Sequence, residues 1–562
     1  MTQSRAAAVV EVFQPKLFTA LKQGYGLDRL RADATAGLTV AIVALPLSMA
    51  IAIASGATPE RGLYAAVIGG FIISALGGSM HQIGGPAGAF IVLVASSIER
   101  HGLDGFFLAT IIAGFIMIAL GAFRLGTLIR YIPEPVTVGF TAGIAVIIAA
   151  SQLRDLFGLT LEGKEPAALI PKLGVLFAAF PSFNLYAIGV ALFSGALILG
   201  IQRINKALPS LLIAVIAASL LVWAFNLPVE TIGSRFGGVP SGLPAPALPT
   251  LSFAKVQAVL PDALAIALLG AIESLLSAVV ADSMTGRRHR SNTELVAQGF
   301  ANLACPLFGG LCATGTIART ATNIRSGATS PVAGMLHALF ILAAMVLAAP
   351  LMARIPLAAL GALLAIVAWN MAEKHTFWAL ARGNRAEAAV LLATFLLTVF
   401  RDLTEGILVG VVLGSVLFAV RMAQLAEVSS QMRLFDADGE DSAPHGARGS
   451  GDIIIHRLDG PLFFGTAPNM QEVMGRIGHT PKAMVFDFSG VPFMDSSGVA
   501  MLDRHIRKVE QTGAKVYFSG VSAPVELALR QFGLPKSRVP RLKNLQEAYD
   551  RASSELRASG PL

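Results

Sequence analysis

The chain has 562 residues, 54% of them hydrophobic and 14% charged, with a mean hydropathy of +0.67 and a formal net charge of +8. Soluble domains carry nearer a quarter charged residues, so this composition excludes a wholly soluble protein and points to a polytopic membrane protein with length to spare for a soluble domain. The positive balance is not a nucleic-acid signal, because the cations gather in loops on one predicted side of a membrane, and the two cysteines, Cys305 and Cys312, sit in apolar stretches that fit neither a disulfide framework nor a metal site.

Residues 1–33 are mixed polar, with Lys16, Lys22, Arg29 and Arg31, and read as a cytoplasmic leader lying along the membrane surface. They contain no short apolar core with a cleavage site, so no signal peptide is expected. A spanning helix needs about 20 apolar residues. That rule places spans near 34–54, 61–78, 104–122, 133–152, 184–201, 208–226, 259–282, 292–311, 330–352, 356–372, 385–400 and 403–420. Two further segments, 84–98 and 314–326, are too short and too rich in Gly, Pro and Thr to cross as plain helices. Counting them gives fourteen segments in a transmembrane domain over 34–421, with both termini on one side. Arg124, Arg130, Arg203, Lys206, Arg287, Arg288, Arg290, Lys374, Arg382 and Arg385 fall in loops on that side, whereas 153–172 and 227–255 mix signs. The bias puts the N-terminus in the cytoplasm.

The two short segments are third and tenth, seven apart. Interrupted segments at matching positions of two halves point to a transporter site built from inverted repeats. In the third, Gly84, Gly85, Pro86, Ala87, Gly88 and Ala89 offer no bulky side chain before Phe90, and in the tenth, ATGTIAR ends on Arg319. If each opens a half-helix, two sets of free N–H groups and two positive dipole ends face one another, an arrangement that favours an anion. Arg319 adds positive potential, and Glu273 stands in the apolar run 264–281 with Ser277 one turn on. Ionisable residues at bilayer depth usually mark a substrate or ion pathway. Burial and a neighbouring anion both favour proton uptake by Glu273, which would couple H⁺ to anion entry. The competing reading is a buried ion pair that only orients two helices.

Beyond Arg421 the character changes. Residues 422–451 read as a linker and 452–562 as an α/β domain, with strands expected at 453–458, 484–488 and 515–519 and helices at 468–478, 497–511, 523–532 and 544–554.

GAIESLLSAVVADSMTGRRHRSNTELVAQGFANLACPLFGG, followed by IARTATNIRSGATSPVAG, resembles the SulP (solute-carrier 26) anion transporters, and LPLSMAIAIASGATPERGLYAA at 45–66 is similar to their first-helix signature. The GAIESLL run looks most like the bacterial C4-dicarboxylate transporter of that family. The resemblance covers essentially the whole chain. It implies an α-helical fold of 7+7 inverted repeats with core and gate domains, an elevator-type cycle, a homodimer and a place in the bacterial inner membrane. By position it implies an anion site formed by Leu47 and Ile51, by Ala87, Gly88 and Ala89, by Ser277, and by Ile317, Ala318 and Arg319, with Glu273 as the proton-coupling group. Leu47 and Ile51 stand where many members have Gln and an aromatic, and this apolar wall fits a small carboxylate at least as well as sulfate. Glu273 and Ser277 stand where bicarbonate members place Asp and Thr for Na⁺, which favours H⁺. The alternatives are sulfate or bicarbonate transport, Na⁺-linked or by exchange, or a membrane-anchored regulator with a vestigial transport half. No cofactor and no enzymatic activity are expected.

MVFDFSGVPFMDSSGVAMLDRHIRKV, at 484–509, resembles the STAS domain shared with anti-sigma-factor antagonists. There a serine of the DSSG turn is phosphorylated, which nominates Ser496 or Ser497. The competing reading is that Asp495 and the serines cap the helix. Arg504, His505, Arg507 and Lys508 form a solvated face or a protein-partner site, while His456, His479 and His505 make no metal pattern.

Overall fold

The structure is a computed structural model that describes residues 14–127, 133–163, 165–205, 208–401, 403–429, 453–463 and 482–558. The expected helix at 468–478, most of the linker, the first thirteen residues, and Arg130, Lys206 and His479 lie outside them.

A short helix, α1 (Lys16–Lys22), precedes α2 (Leu27–Ala54), the first segment. It begins inside the stretch expected as a leader, and Asp33, the last residue of that stretch, is buried. Its carboxylate accepts from Tyr25 Oη (2.9 Å), Thr329 N and Oγ1 (2.6 and 3.1 Å) and Ser330 N and Oγ (3.2 and 2.5 Å). Five donors replace the lost hydration, which is how a carboxylate survives burial. The bonds fasten the first segment to the loop before the eleventh.

The second segment is α3 (Pro59–Tyr64), a π-helical stretch and α4 (Gly70–Leu76). Strand β1 (Gly84–Gly85) and a 3-10 turn open the third, which runs into α5 (Ile91–Ala122). Gly102, at φ 67° and ψ 177°, breaks α5 into the third and fourth segments. That backbone conformation strains any residue with a Cβ, so the whole connection is one glycine.

Next come α6 (Glu134–Phe157), α7 (Leu169–Ala178), α8 (Leu185–Ile204), α9 (Ser210–Phe225) and the short α10 (Ile232–Phe236). The second half follows as α11 (Phe253–Thr285), α12 (Ser291–Leu307), β2 (Thr314–Gly315) with α13 (Ile317–Arg325), α14 (Val332–Met352), α15 (Leu357–Met371), α16 (Lys374–Arg382), α17 (Arg385–Phe400) and α18 (Leu403–Ser429). All fourteen expected segments are present. Helices α7, α10 and α16 fall where only loops were expected; all three are too short to span.

Packing separates two groups. Helix α5 lies against α11 and α12, and α2 against α14, while α6 lies against α15 and α17, and α8 against α9 and α15. The first group holds both half-helices. It is tightest where α5 crosses α12: a Cβ on Gly114 or Gly299 would run into the other's carbonyl oxygen. Small residues let backbones approach where lipid gives helices no hydrophobic reason to associate.

The soluble domain has a parallel sheet in the order β3 (Ile453–Asp459), β4 (Ala483–Gly490), β5 (Lys515–Ser519), β6 (Arg541–Leu542). Alternation along β4 makes two cores: Met484, Phe486 and Phe488 join Leu502, Ile506 and Leu529 of α19 (Ser496–Glu510) and α20 (Ala523–Gln531), while Ala483 and Val485 join Ala548 and Ala552 of α21 (Leu545–Ala558). Strand β6, only two residues long, was not expected.

Candidate functional site

The third and tenth segments meet at β1 and β2, which pair antiparallel with Gly84 opposite Gly315 and Gly85 opposite Thr314. Each chain then turns directly into a helix, one at Gly88 and one at Ile317. Antiparallel strands send those helices in opposite directions, so both N-termini open at one place inside the bundle. The first N–H groups of a helix have no partner within it. The small residues read from the sequence therefore serve a tight backbone crossing, and a Cβ on Gly85, at φ +153°, would collide with Arg319.

Arg319 is 2% exposed. Its Nη2 donates to Ser48 Oγ (3.3 Å) and to the Pro86 carbonyl (3.1 Å), while Nε and Nη1 are buried without a partner among the described residues. The guanidinium thus joins the first, third and tenth segments and keeps donors to spare. Glu273 is partly buried and makes no hydrogen bond or ion pair among the described residues. The helix-orienting Glu273–Arg319 pair does not form.

Of the other candidates, Ala87 and Ala89 are buried and Gly88 half-buried at the first half-helix. Ile317 is half-buried and Ala318 exposed at the second. Leu47 and Ile51 lie one turn apart on α2, buried on either side of Ser48 in chain order. Ser277 is fully buried, its Oγ 3.2 Å from Thr320 Oγ1, and Thr320 Oγ1 accepts from Ile83 N at 3.0 Å. Its hydroxyl is committed to holding the crossing. A Cβ on Gly88 would meet Met371 and Ile148, so the first half-helix faces α15 and α6 of the other packing group.

Sequence reasoning missed a second set of polar residues that brace the crossing. Thr314 Oγ1 donates to the Gly270 carbonyl at 3.1 Å, and Gln82 Nε2 to the Ser274 carbonyl at 3.2 Å. Asn302 holds Ala313 from both sides, donating to its carbonyl at 2.8 Å and accepting from its N–H at 2.9 Å. Glu294 accepts from Gly78 N and Ser79 N at 2.8 and 3.1 Å and from Gln298 Nε2 at 2.8 Å. Glu294, Gln298 and Asn302 are spaced i, i+4, i+8, a polar stripe running into the apolar part of the helix. That spacing was the available signal.

In the soluble domain Asp495 accepts from Gly498 N at 2.8 Å and caps α19. Ser496 is exposed and Ser497 half-buried, and neither side chain makes a hydrogen bond among the described residues. The cap is the aspartate alone.

Two half-helices opening onto one point, within fourteen segments arranged as two repeats and followed by a small α/β domain, define a membrane transport protein. The chain belongs to the sulfate permease family, whose model matches residues 30–394, and the STAS domain model matches residues 446–548. It is an anion transporter and not an enzyme. It is 38% identical over 525 residues to the Bacillus subtilis protein YvdB, named a "Putative sulfate transporter", covering 92% of this chain and 96% of that one. It is 30% identical to the bicarbonate transporter BicA of Picosynechococcus, covering 91% and 92%. Among solved structures, the murine Solute Carrier 26 family member A9 anion transporter matches with a TM-score of 0.81 at 20% identity, over 97% of this chain and 95% of that one. These relatives bear the names of sulfate and bicarbonate. They do not support the special likeness to a C4-dicarboxylate transporter expected from the GAIESLL run, in which the carbonyls of Gly270 and Ser274 accept hydrogen bonds that brace the crossing, so that part of the run serves the fold.

Proposed function

We propose that the chain is a secondary active transporter that carries a small oxyanion together with a proton, the group of segments holding both half-helices sliding against the other in an elevator-type cycle. The observation that carries this reading is the Arg319 guanidinium, buried at the meeting point of two helix N-termini with Nε and Nη1 unpartnered. Fixed donors and positive dipole ends at one point suit an anion. The site is formed by Ala87, Gly88, Ala89, Ile317, Ala318 and Arg319, walled by Leu47 and Ile51, with Ser277 holding it together. Glu273 is the coupling group. No cation among the described residues pairs with it, so its charge and the substrate's repel, and a proton relieves that repulsion.

The names of the relatives favour sulfate or bicarbonate as substrate, and the apolar Leu47/Ile51 wall favours a small carboxylate. Loop cations support cytoplasmic termini in a bacterial inner membrane, and the family resemblance supports a homodimer. The exposed Ser496 hydroxyl is open to phosphorylation, with a cytoplasmic protein as reader of that face.

The test is flux into proteoliposomes, with unlabelled sulfate, bicarbonate and small carboxylates competing against one transported tracer. Wild-type uptake rises as external pH falls and acidifies the lumen. Glu273→Gln, which mimics the neutral form, still binds anion but no longer concentrates it on a proton gradient. If Glu273→Gln accumulates substrate as well as wild type does, Glu273 is not the coupling group. If no anion is carried by the wild type, the transport reading itself fails.

A further inference from the structure

Helix α16 joins the ends of two membrane segments through two residues on each side, Ala372 and Glu373 before it and Gly383 and Asn384 after it. Such short tethers hold it at the membrane surface. None of its residues is buried, and Phe377 rests on Phe395 of α17 with ring centroids 5.3 Å apart. Trp378 is 57% exposed, and Trp369, at the end of α15, is 67% exposed. Each tryptophan carries a cation: Lys374 Nζ lies 4.2 Å from the Trp369 ring and donates to the Trp369 carbonyl at 2.5 Å, and the Arg382 guanidinium lies 5.4 Å from the Trp378 ring. One open face of the helix is formed by Lys374, His375, Trp378, Ala379 and Arg382, with no acid among them. Arg382 and His375 pair with no carboxylate among the described residues. Glu373, exposed, and Glu387, half-buried, flank the helix outside that face.

Tryptophan favours the headgroup level of a bilayer, where its ring is half in oil and its N–H in water. Cations there attract anionic lipid. We propose that α16, with Trp369, is a binding site for the phosphate headgroup of an anionic phospholipid, in the leaflet on which the loop cations concentrate. The phosphate sits between Lys374 and Arg382, and the two indoles line the acyl chains.

The sequence has three tryptophans, Trp223, Trp369 and Trp378. Trp223→Phe therefore leaves fluorescence that reports this site alone. Reconstituted with lipids brominated in their acyl chains, this variant is quenched more strongly by brominated phosphatidylglycerol than by brominated phosphatidylcholine at equal mole fraction. The selectivity is roughly fivefold for each cation engaged and falls with added salt. Adding Lys374→Gln and Arg382→Gln removes the preference but leaves quenching by both lipids. Equal quenching of the parent by the two lipids overturns the proposal, since the site would then read only oil. Quenching by neither also overturns it, since the surface would be covered by protein. The salt series on the unsubstituted helix keeps the test sound if the double variant fails to fold.

Discussion

Arg319 has a divided guanidinium: Nη2 is bound to Ser48 and Pro86, while Nε and Nη1 stand buried and unused. The bound half makes the residue structural, and the free half is what the proposed anion would engage. Arg319→Ala is expected to weaken apparent anion affinity by about 1.5–3 kcal/mol, roughly ten- to hundredfold, the value of a lost charge-assisted bond. Anion-dependent thermal shifts on a variant confirmed as well folded would measure it. Unchanged affinity would remove Arg319 from the site. Glu273 and Arg319 were visible in the sequence because charge inside oil stands out against composition. Ser48 and Thr320 were not, because a hydroxyl in a membrane helix has a bland local alternative: donating to the carbonyl four residues back, as Thr110 and Ser194 do here.

Among the elements, β3 carries a pH-sensitive pair. His456 is buried opposite Phe486 of β4, its ring stacked 5.4 Å from that phenyl and edge-on to His505 at 6.4 Å. Burial chiefly, and His505 next, hold His456 down to about 4. The unfolded chain takes up that proton near pH 6.5, so the unfolded state binds more protons between about 6.5 and 4. Stability is therefore full above that window and lost as pH falls through it, by about 2–4 kcal/mol. Hydrogen exchange at β3 and β4 amides, corrected for intrinsic rates, should show this loss, and His456→Phe should flatten it. An equal slope in the variant would place the sensitivity elsewhere. Strands β3, β4 and β5 were legible as apolar runs between turns, whereas β6 is two residues long and leaves no periodic trace. Helix α16 was read as loop because its cations matched the loop pattern, although Lys374, Trp378 and Arg382 fall at i, i+4 and i+8, one face of a helix.

At the scale of the whole molecule, each of the two compact units has its own core, the first, through Gly414, among the transmembrane helices and the second, from Ser415, in the sheet and helices of the STAS domain. A chain ending after Ser429, where α18 stops, should retain anion binding in detergent, with turnover or expression reduced. Loss of binding in a well-folded truncated protein would show that the soluble domain completes the site. The segment count and the change of character after Arg421 were readable because a bilayer demands long apolar runs. The pairing of β1 with β2 was not. It joins residues about 230 positions apart, and only the placement of two weak segments hinted at it.

Asn302 gives that pairing an unusual neighbour. A side-chain amide that donates to one carbonyl and accepts from the same residue's N–H imitates a stretch of peptide bond. The crossing therefore has a third rung supplied by neither strand, a piece of borrowed backbone hung from α12. Shape alone cannot replace it. Aspartate is nearly isosteric with asparagine but offers no donor when ionised, so it would set an anionic oxygen against the Ala313 carbonyl. The closest substitute in outline is then the worst in chemistry: Asn302→Asp should lower the melting temperature more than Asn302→Ala, and the reverse order would mean that the rung is filled by volume and not by hydrogen bonds.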